Sequence, residues 1–160
     1  MIVLDDSSLI GCGTLRACYL HPQNGKLIIK VPLPDREGGE EANNQEFLSY
    51  QKIRQHHEEL DHISHCHGFT ETDRGAGLIC DCIRDCNGDI AKTIWDLVLY
   101  QETCDIEELL EVATTLCDYL IANDLFLFDI NLKNIVLQRT EDNGYRAYAI
   151  DLKGPYDNKE

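Results

Sequence analysis

Positive charge is scarce in this chain: 14 Lys and Arg stand against 29 Asp and Glu, a formal net charge of −15 over 160 residues. That shortage argues against a broad basic face for duplex nucleic acid or for an anionic membrane surface, both of which reward dense cationic charge. Long apolar runs are missing as well, and none approaches the roughly eighteen residues of a membrane span. The opening "MIVLDDSS" turns acidic at once, without the basic n-region and cleavage site of a secretory leader. These absences predict a soluble, cytoplasmic protein whose eight cysteines are free thiols rather than a disulfide framework. Repeated C-x2-C pairs are absent too. "CDCIRDC" holds Cys80, Cys82 and Cys86, and "HISHCH" holds His62, His65, Cys66 and His67, neither at the spacing of a structural zinc site. Most of the thiols are therefore expected to serve as small buried apolar groups. A small metal-binding protein built on these clusters is the alternative. No internal repeat or low-complexity segment is present.

What the chain has is an apolar fraction of 43%, enough for a packed core in one domain or two small lobes. The first third reads as strands, about Leu15–Leu20 and Lys26–Val31 around the turn "HPQNG", preceded by "IGCG" where a first strand turns back. A helix is expected from about Glu40 to Glu59, with Phe47, Tyr50 and Ile53 on one face. "SHCHGFTETDRGAGLICDCIRD" reads as two strands around a polar turn containing Gly75 and Gly77. After the linker "CNGD" the chain becomes helical. "KTIWDLVLY" forms a short helix, and a longer one runs from Asp105 to about Asn123. In the latter, Ile106, Leu109, Leu110, Ala113, Leu116, Cys117, Leu120 and Ile121 follow the 3.6-residue period, and Asp105 with Glu108 forms an N-terminal cap. Two short strands near Ile135–Gln138 and Tyr145–Ile150 flank "TEDNG". This is an α+β order, not a βαβ alternation. It predicts a strand-rich lobe over residues 1–84 and a helical one over 85–160.

Several residues along this order bear chemistry. Gly11 and Gly13 form a G-x-G pair between two strands, where backbone amides can approach a phosphate, although Arg16 stands where a third glycine completes G-x-G-x-x-G. Lys30 ends an apolar strand and reaches nucleotide phosphates if it faces inward; Glu46, on the inner face of the next helix, is the carboxylate that holds it. Asp129 and Asn134 form D-x4-N, and Asp151 opens D-x-x-G after the strand "YAI". Asp and Asn oxygens suit Mg²⁺, and a further carboxylate near the γ-phosphate can orient an acceptor hydroxyl and take its proton. Singly, each has an ordinary reading: a turn, a solvated lysine, an Asx turn. Together they occur in the order of a protein-kinase-like nucleotide cleft.

The stretches "GCGTLRACYLHP" leading to "IIKV", "QEFLSYQKI", "HGFTETDRGAGLICDCIRDCNG" and "NLKNIVL" resemble a bacterial kinase-like family, the YrbL family of the PhoP regulatory network. The resemblance covers nearly the whole chain. It implies a two-lobed protein-kinase-like fold, with an antiparallel-sheet N-lobe, a small truncated helical C-lobe and ATP between them. On this resemblance Gly11 and Gly13 fall on the phosphate loop, Lys30 on the phosphate-binding lysine and Glu46 on its helix partner. Asp81, Cys82 and Ile83 fall on the connector that contacts adenine, Asp129 on the catalytic aspartate, and Asn134 and Asp151 on the metal ligands. The implied cofactors are ATP and Mg²⁺ or Mn²⁺, with an unidentified protein or small molecule as acceptor.

The chain departs from the kinase pattern in places. "FDI" replaces His-Arg-Asp, "DLKG" replaces D-F-G, and Lys133 sits beside Asn134 rather than two residues after Asp129. Only nine residues follow Asp151, so an activation segment is not expected. A phosphotransferase and a pseudokinase acting as a nucleotide-dependent regulatory module are both consistent with these features.

Overall fold

The computed structural model describes residues 1–58, 60–100 and 105–153. The fold is α+β with antiparallel sheets and few helices. The chain divides into two compact units, Met1–Lys52 with His65–Cys82, and Ile53–Ser64 with Ile83–Glu160. The first unit is thus discontinuous, where the sequence pointed to one stretch over residues 1–84.

In the first unit a 3-10 turn at Asp6–Ser8 precedes strands β1 (Leu9–Cys12), β2 (Arg16–Leu20) and β3 (Leu27–Pro32). Helix α1 (Gly39–His56) follows, its last turn from Ile53 counted with the second unit, then β4 (Cys66–Thr72) and β5 (Gly75–Asp81). The strand order is β1-β2-β3-β5-β4, every neighbouring pair antiparallel. Strand β3 is central, and its consecutive Ile29, Lys30 and Val31 are all buried. Side chains alternate along a strand, so burial of three in a row means that both faces are covered. Ile29 and Val31 pack with Leu4, Ala17 and Tyr19. On the opposite face, Cys66, Leu78 and Cys80 pack with Ile28 and with Phe47 and Tyr50 of α1. Lys30 lies opposite Leu78 in the register and shares that α1-facing side.

Helix α1 carries Glu40 and Glu41 in its first turn and Arg54 and His56 in its last, the charge order that its dipole favours. Gly77, read from the sequence as a turn residue, lies inside β5. A Cβ there would overlap the Cγ2 methyl of Ile29, so glycine is the residue that lets β5 approach its neighbour. The turn itself is the pair Asp73–Arg74.

In the second unit β6 (Lys92–Thr93) leads into α2 (Ile94–Leu99), and α3 (Ile106–Ala122) precedes β7 (Ile135–Arg139) and β8 (Tyr145–Ala149). These strands form a three-stranded sheet, β6-β7-β8, against which α3 packs through β8. Lys92 and Thr93, read as the start of a helix, pair instead with Leu137 and Val136, and Thr93 caps α2 by accepting from the Asp96 amide. Asp105 caps α3 by accepting from the amide of Glu107. Of the apolar positions assigned to α3, Leu116 and Leu120 are buried while Ile106, Leu110, Cys117 and Ile121 are exposed. The apolar arc of this helix is wider than the surface that covers it. No helix among the described residues is long and apolar enough to cross a membrane.

Candidate functional site

The strand unit places Lys30 deep in the sheet, 6% exposed, with Nζ donating to Glu46 Oε1 at 2.7 Å. The solvated position that is the default for a strand lysine is therefore not the one it occupies. Glu46 is itself 3% exposed and accepts a second cation on its other oxygen, Arg16 Nη1 at 2.6 Å. Arg16 also donates to Asn43 Oδ1 at 3.0 Å, and the Asn43 amide donates to the Lys30 carbonyl at 2.9 Å. One buried carboxylate thus holds two cations, and a buried asparagine ties them to the backbone of β3. Burial strengthens each of these interactions and makes the loss of any single partner costly.

Gly11 lies in β1, whose residues are all exposed, and Gly13 turns the chain by donating its amide to the Arg16 carbonyl at 2.8 Å. A Cβ at Gly11 would meet nothing within 4 Å, so its backbone faces open space. Asp81 closes β5 with its carboxylate engaged by the His65 amide at 3.1 Å and by His67 Nε2 at 2.7 Å. Along the connector the Cys82 amide donates to Lys26 O at 2.8 Å, and Ile83 O accepts from the Ala91 amide at 3.0 Å. These three residues are held within their own units by side-chain and backbone bonds.

The second unit gathers the oxygen donors. Asp129, Asn134 and Asp151 line one surface pocket together with Lys153. Two backbone contacts build it: Phe128 pairs with Lys153 in an isolated antiparallel bridge, and the Ile150 amide donates to the Asn134 carbonyl at 3.0 Å. The first sets Asp129 beside the segment that follows Asp151; the second ties Asn134 to the residue before it. Asp129 and Asp151 both adopt left-handed backbone, φ 61° and 54°, a conformation uncommon for residues with a Cβ and concentrated where side chains must be aimed. The Asn134 side-chain amide donates to the Asp129 carbonyl at 3.0 Å, which fixes its orientation.

Electrostatics in this pocket centre on Asp129. The hydrogen bond and charge of Lys153 Nζ at 2.9 Å hold its carboxyl below the usual carboxylate range, helped by Asn131 and opposed by the neighbouring charge of Asp151. Asp129 remains highly exposed, so this bias acts in a well-screened setting. Lys133 lies 4.9 Å from the Trp95 ring centroid in a cation–π contact rather than in the pocket. Hard oxygen donors converging on one pocket match the preference of Mg²⁺.

Arg16, Asn43, Asn131 and Lys153 were not identified as site residues from the sequence. Asn43 and Glu46 stand three apart on one helix, a spacing that puts both on the same side and was available as a signal. Arg16 registered only as a missing glycine; its reach to Glu46 depends on the packing of α1 against the sheet. Gly154, the end of the D-x-x-G turn, and Cys104 lie outside the described residues. None of the seven described cysteines is in a disulfide. Cys66, Cys80 and Cys82 are buried as expected, but Cys12, Cys86 and Cys117 are exposed.

Residues 2–157 match the family model described as PhoP regulatory network protein YrbL. The chain is 29% identical over 147 residues to YrbL of Escherichia coli (strain K12), an alignment covering 89% of this chain and 69% of that protein. YrbL of Shigella flexneri gives the same identity and coverage.

Proposed function

The chain belongs to the family of the PhoP regulatory network protein YrbL, and on that footing we propose that it is an ATP- and Mg²⁺-binding, protein-kinase-like phosphotransferase of the bacterial cytoplasm. The observation that carries this reading is the buried Lys30–Glu46 pair. A lysine in a central strand is expensive to bury and is normally found in solvent. Holding it on a helix carboxylate makes physical sense where a fixed ammonium is needed for an anion such as a triphosphate. The Asp129, Asn134 and Asp151 pocket supports the same reading from the second unit.

In the proposed roles Lys30 fixes the phosphates, and the loop of Gly11 and Gly13, with open space at Gly11, lets the backbone approach them. Asp81, Cys82 and Ile83 supply the adenine contacts. Asn134 and Asp151 hold the metal, which when bound neutralises charge on the phosphate oxygens. Asp129 orients the acceptor hydroxyl and receives its proton. The acceptor is a protein or small molecule bearing a hydroxyl.

A second reading, a pseudokinase that binds nucleotide without turnover and acts as a regulatory module, is favoured by the surroundings of Asp129. Its carboxylate is engaged by Lys153 at 2.9 Å and Asn131 at 3.1 Å, and Lys133 is drawn to Trp95 instead. Calorimetry with ATP and Mg²⁺ tests both readings at their shared step: binding is expected in the wild type, and no binding would overturn both. Phosphate transfer or ATP hydrolysis then separates them. Turnover abolished in Asp129→Ala establishes the phosphotransferase. Binding without turnover, equal in wild type and Asp129→Ala, establishes the module.

A further inference from the structure

Beside the Lys30–Glu46 pair lie two buried thiols that the proposed nucleotide chemistry does not use. Cys66 and Cys80 face each other across β4 and β5 as register partners, with Sγ atoms 3.5 Å apart and both side chains buried. A Glu46 carboxylate oxygen completes the group. The three ligand atoms lie within 4.8 Å of one another, and all three residues are buried. They come from three separate elements, α1, β4 and β5, so sequence spacing carries no trace of the cluster.

We propose that Cys66, Cys80 and Glu46 form a binding site for a thiophilic divalent cation of the zinc class. Zinc–sulfur bonds of about 2.3 Å in tetrahedral geometry separate two sulfurs by roughly 3.8 Å, so the observed 3.5 Å needs only a small opening of the strand pair. Carboxylate oxygen is an accepted third ligand, and water fills the fourth position.

Charge balance supports the site. With both thiols protonated, the buried group contains one carboxylate and the two cations Lys30 and Arg16, a net charge of plus one. Binding converts two thiols to thiolates, releases two protons to solvent and adds a dication, which leaves the net charge at plus one. The ion therefore replaces two protons without placing new net charge in a poorly solvated region, the term that most often forbids buried charge. Without the ion, the Cys80 hydrogen bond, burial and the Glu46 charge hold the Cys66 thiol protonated, far above its usual range. Metal binding at the site displaces thiol protons. The register pairing of the cysteines and the two cations already anchoring Glu46 limit how far the ligands must reorganise.

The test uses the full chain under reducing conditions, titrated with Co²⁺ and then Zn²⁺. One Co²⁺ per chain is expected to give a sulfur-to-cobalt charge-transfer absorption, which Zn²⁺ removes by displacement. Cys66→Ser and Cys80→Ser should abolish the band, and Glu46→Gln, which removes a direct ligand, should weaken affinity by at least the roughly ten- to hundredfold that loss of an outer-shell partner costs. Two released protons predict that affinity falls about a hundredfold for each unit of pH lowered in the range where both thiols are protonated. The exposed-cysteine variants Cys12→Ser, Cys86→Ser and Cys117→Ser should leave the band unchanged. No charge-transfer band in the wild type, a band that follows the exposed cysteines, or affinity independent of pH would each overturn the proposal. The wild-type spectrum decides this even if a buried-cysteine variant fails to fold.

Discussion

Replacing Glu46 with glutamine removes one negative charge, keeps the side-chain shape, and leaves two cations on a neutral amide. Lys30 Nζ and Arg16 Nη1 lie 2.7 and 2.6 Å from its two oxygens, with side-chain exposures of 7% for Lys30, 12% for Arg16 and 3% for Glu46. At an effective dielectric of about 20, each contact carries roughly 6 kcal/mol of gross attraction. Desolvation of the charges offsets most of that in the wild type. In Glu46→Gln the offset is not recovered, because Lys30 and Arg16 stay buried; breaking such a pair costs about 3–5 kcal/mol. Against a total stability of about 5–15 kcal/mol, that is a large fraction. Lys30→Met should cost distinctly less, because the Glu46–Arg16 contact survives and a buried ammonium is replaced by an apolar chain of similar length. Urea unfolding followed by far-ultraviolet circular dichroism, with the slope compared between variants, measures both. A cost below about 1 kcal/mol for Glu46→Gln, the range of solvent-exposed pairs, would refute the argument that this carboxylate is a buried hub. So would a larger cost for Lys30→Met than for Glu46→Gln.

Other perturbations probe separate parts of the fold. Gly77→Ala drives a methyl into Ile29 and should destabilise by about 1–3 kcal/mol in thermal or urea unfolding; Gly11→Ala, which meets nothing within 4 Å, should leave stability nearly unchanged. Lys153→Met removes the main cause of the lowered Asp129 pKa, so carboxyl titration by NMR should show that pKa rising toward its ordinary value. Because the folded pKa of Asp129 is depressed, its contribution is present above the unfolded carboxylate pKa and is lost as pH falls through the lower folded value. Screening keeps it within about 1 kcal/mol, and the acid limb of the stability profile should flatten slightly in Lys153→Met. Asn43→Ala removes the hydrogen bonds that the Asn43 side chain makes with the Lys30 carbonyl and with Arg16 and should cost about 1–3 kcal/mol in the same unfolding assay.

The sequence alone was enough for most of the order of elements, with β6 the exception, because hydrophobic period and turn chemistry are local. The α1 stripe of Phe47, Tyr50 and Ile53, the α3 period and the closing hairpin could all be read that way, to within a few residues of the observed bounds. Local patterns also singled out Lys30, Glu46, Asp129, Asn134 and Asp151 as oxygen and nitrogen groups worth following. Whether any of them faces solvent was not local information. Lys30 is buried because β3 became the central strand of its sheet, covered on one side by α1, and no property of "LIIKVP" by itself says which strands will flank it. The same holds for Arg16 meeting Glu46 across 30 residues and Lys153 meeting Asp129 across 24. Cys66 and Cys80 meet because β4 and β5 pair in one register. Side-chain chemistry is written residue by residue; burial and partnership arise only when distant elements pack, and here that packing decided which charges form a cluster and which thiols can share an ion.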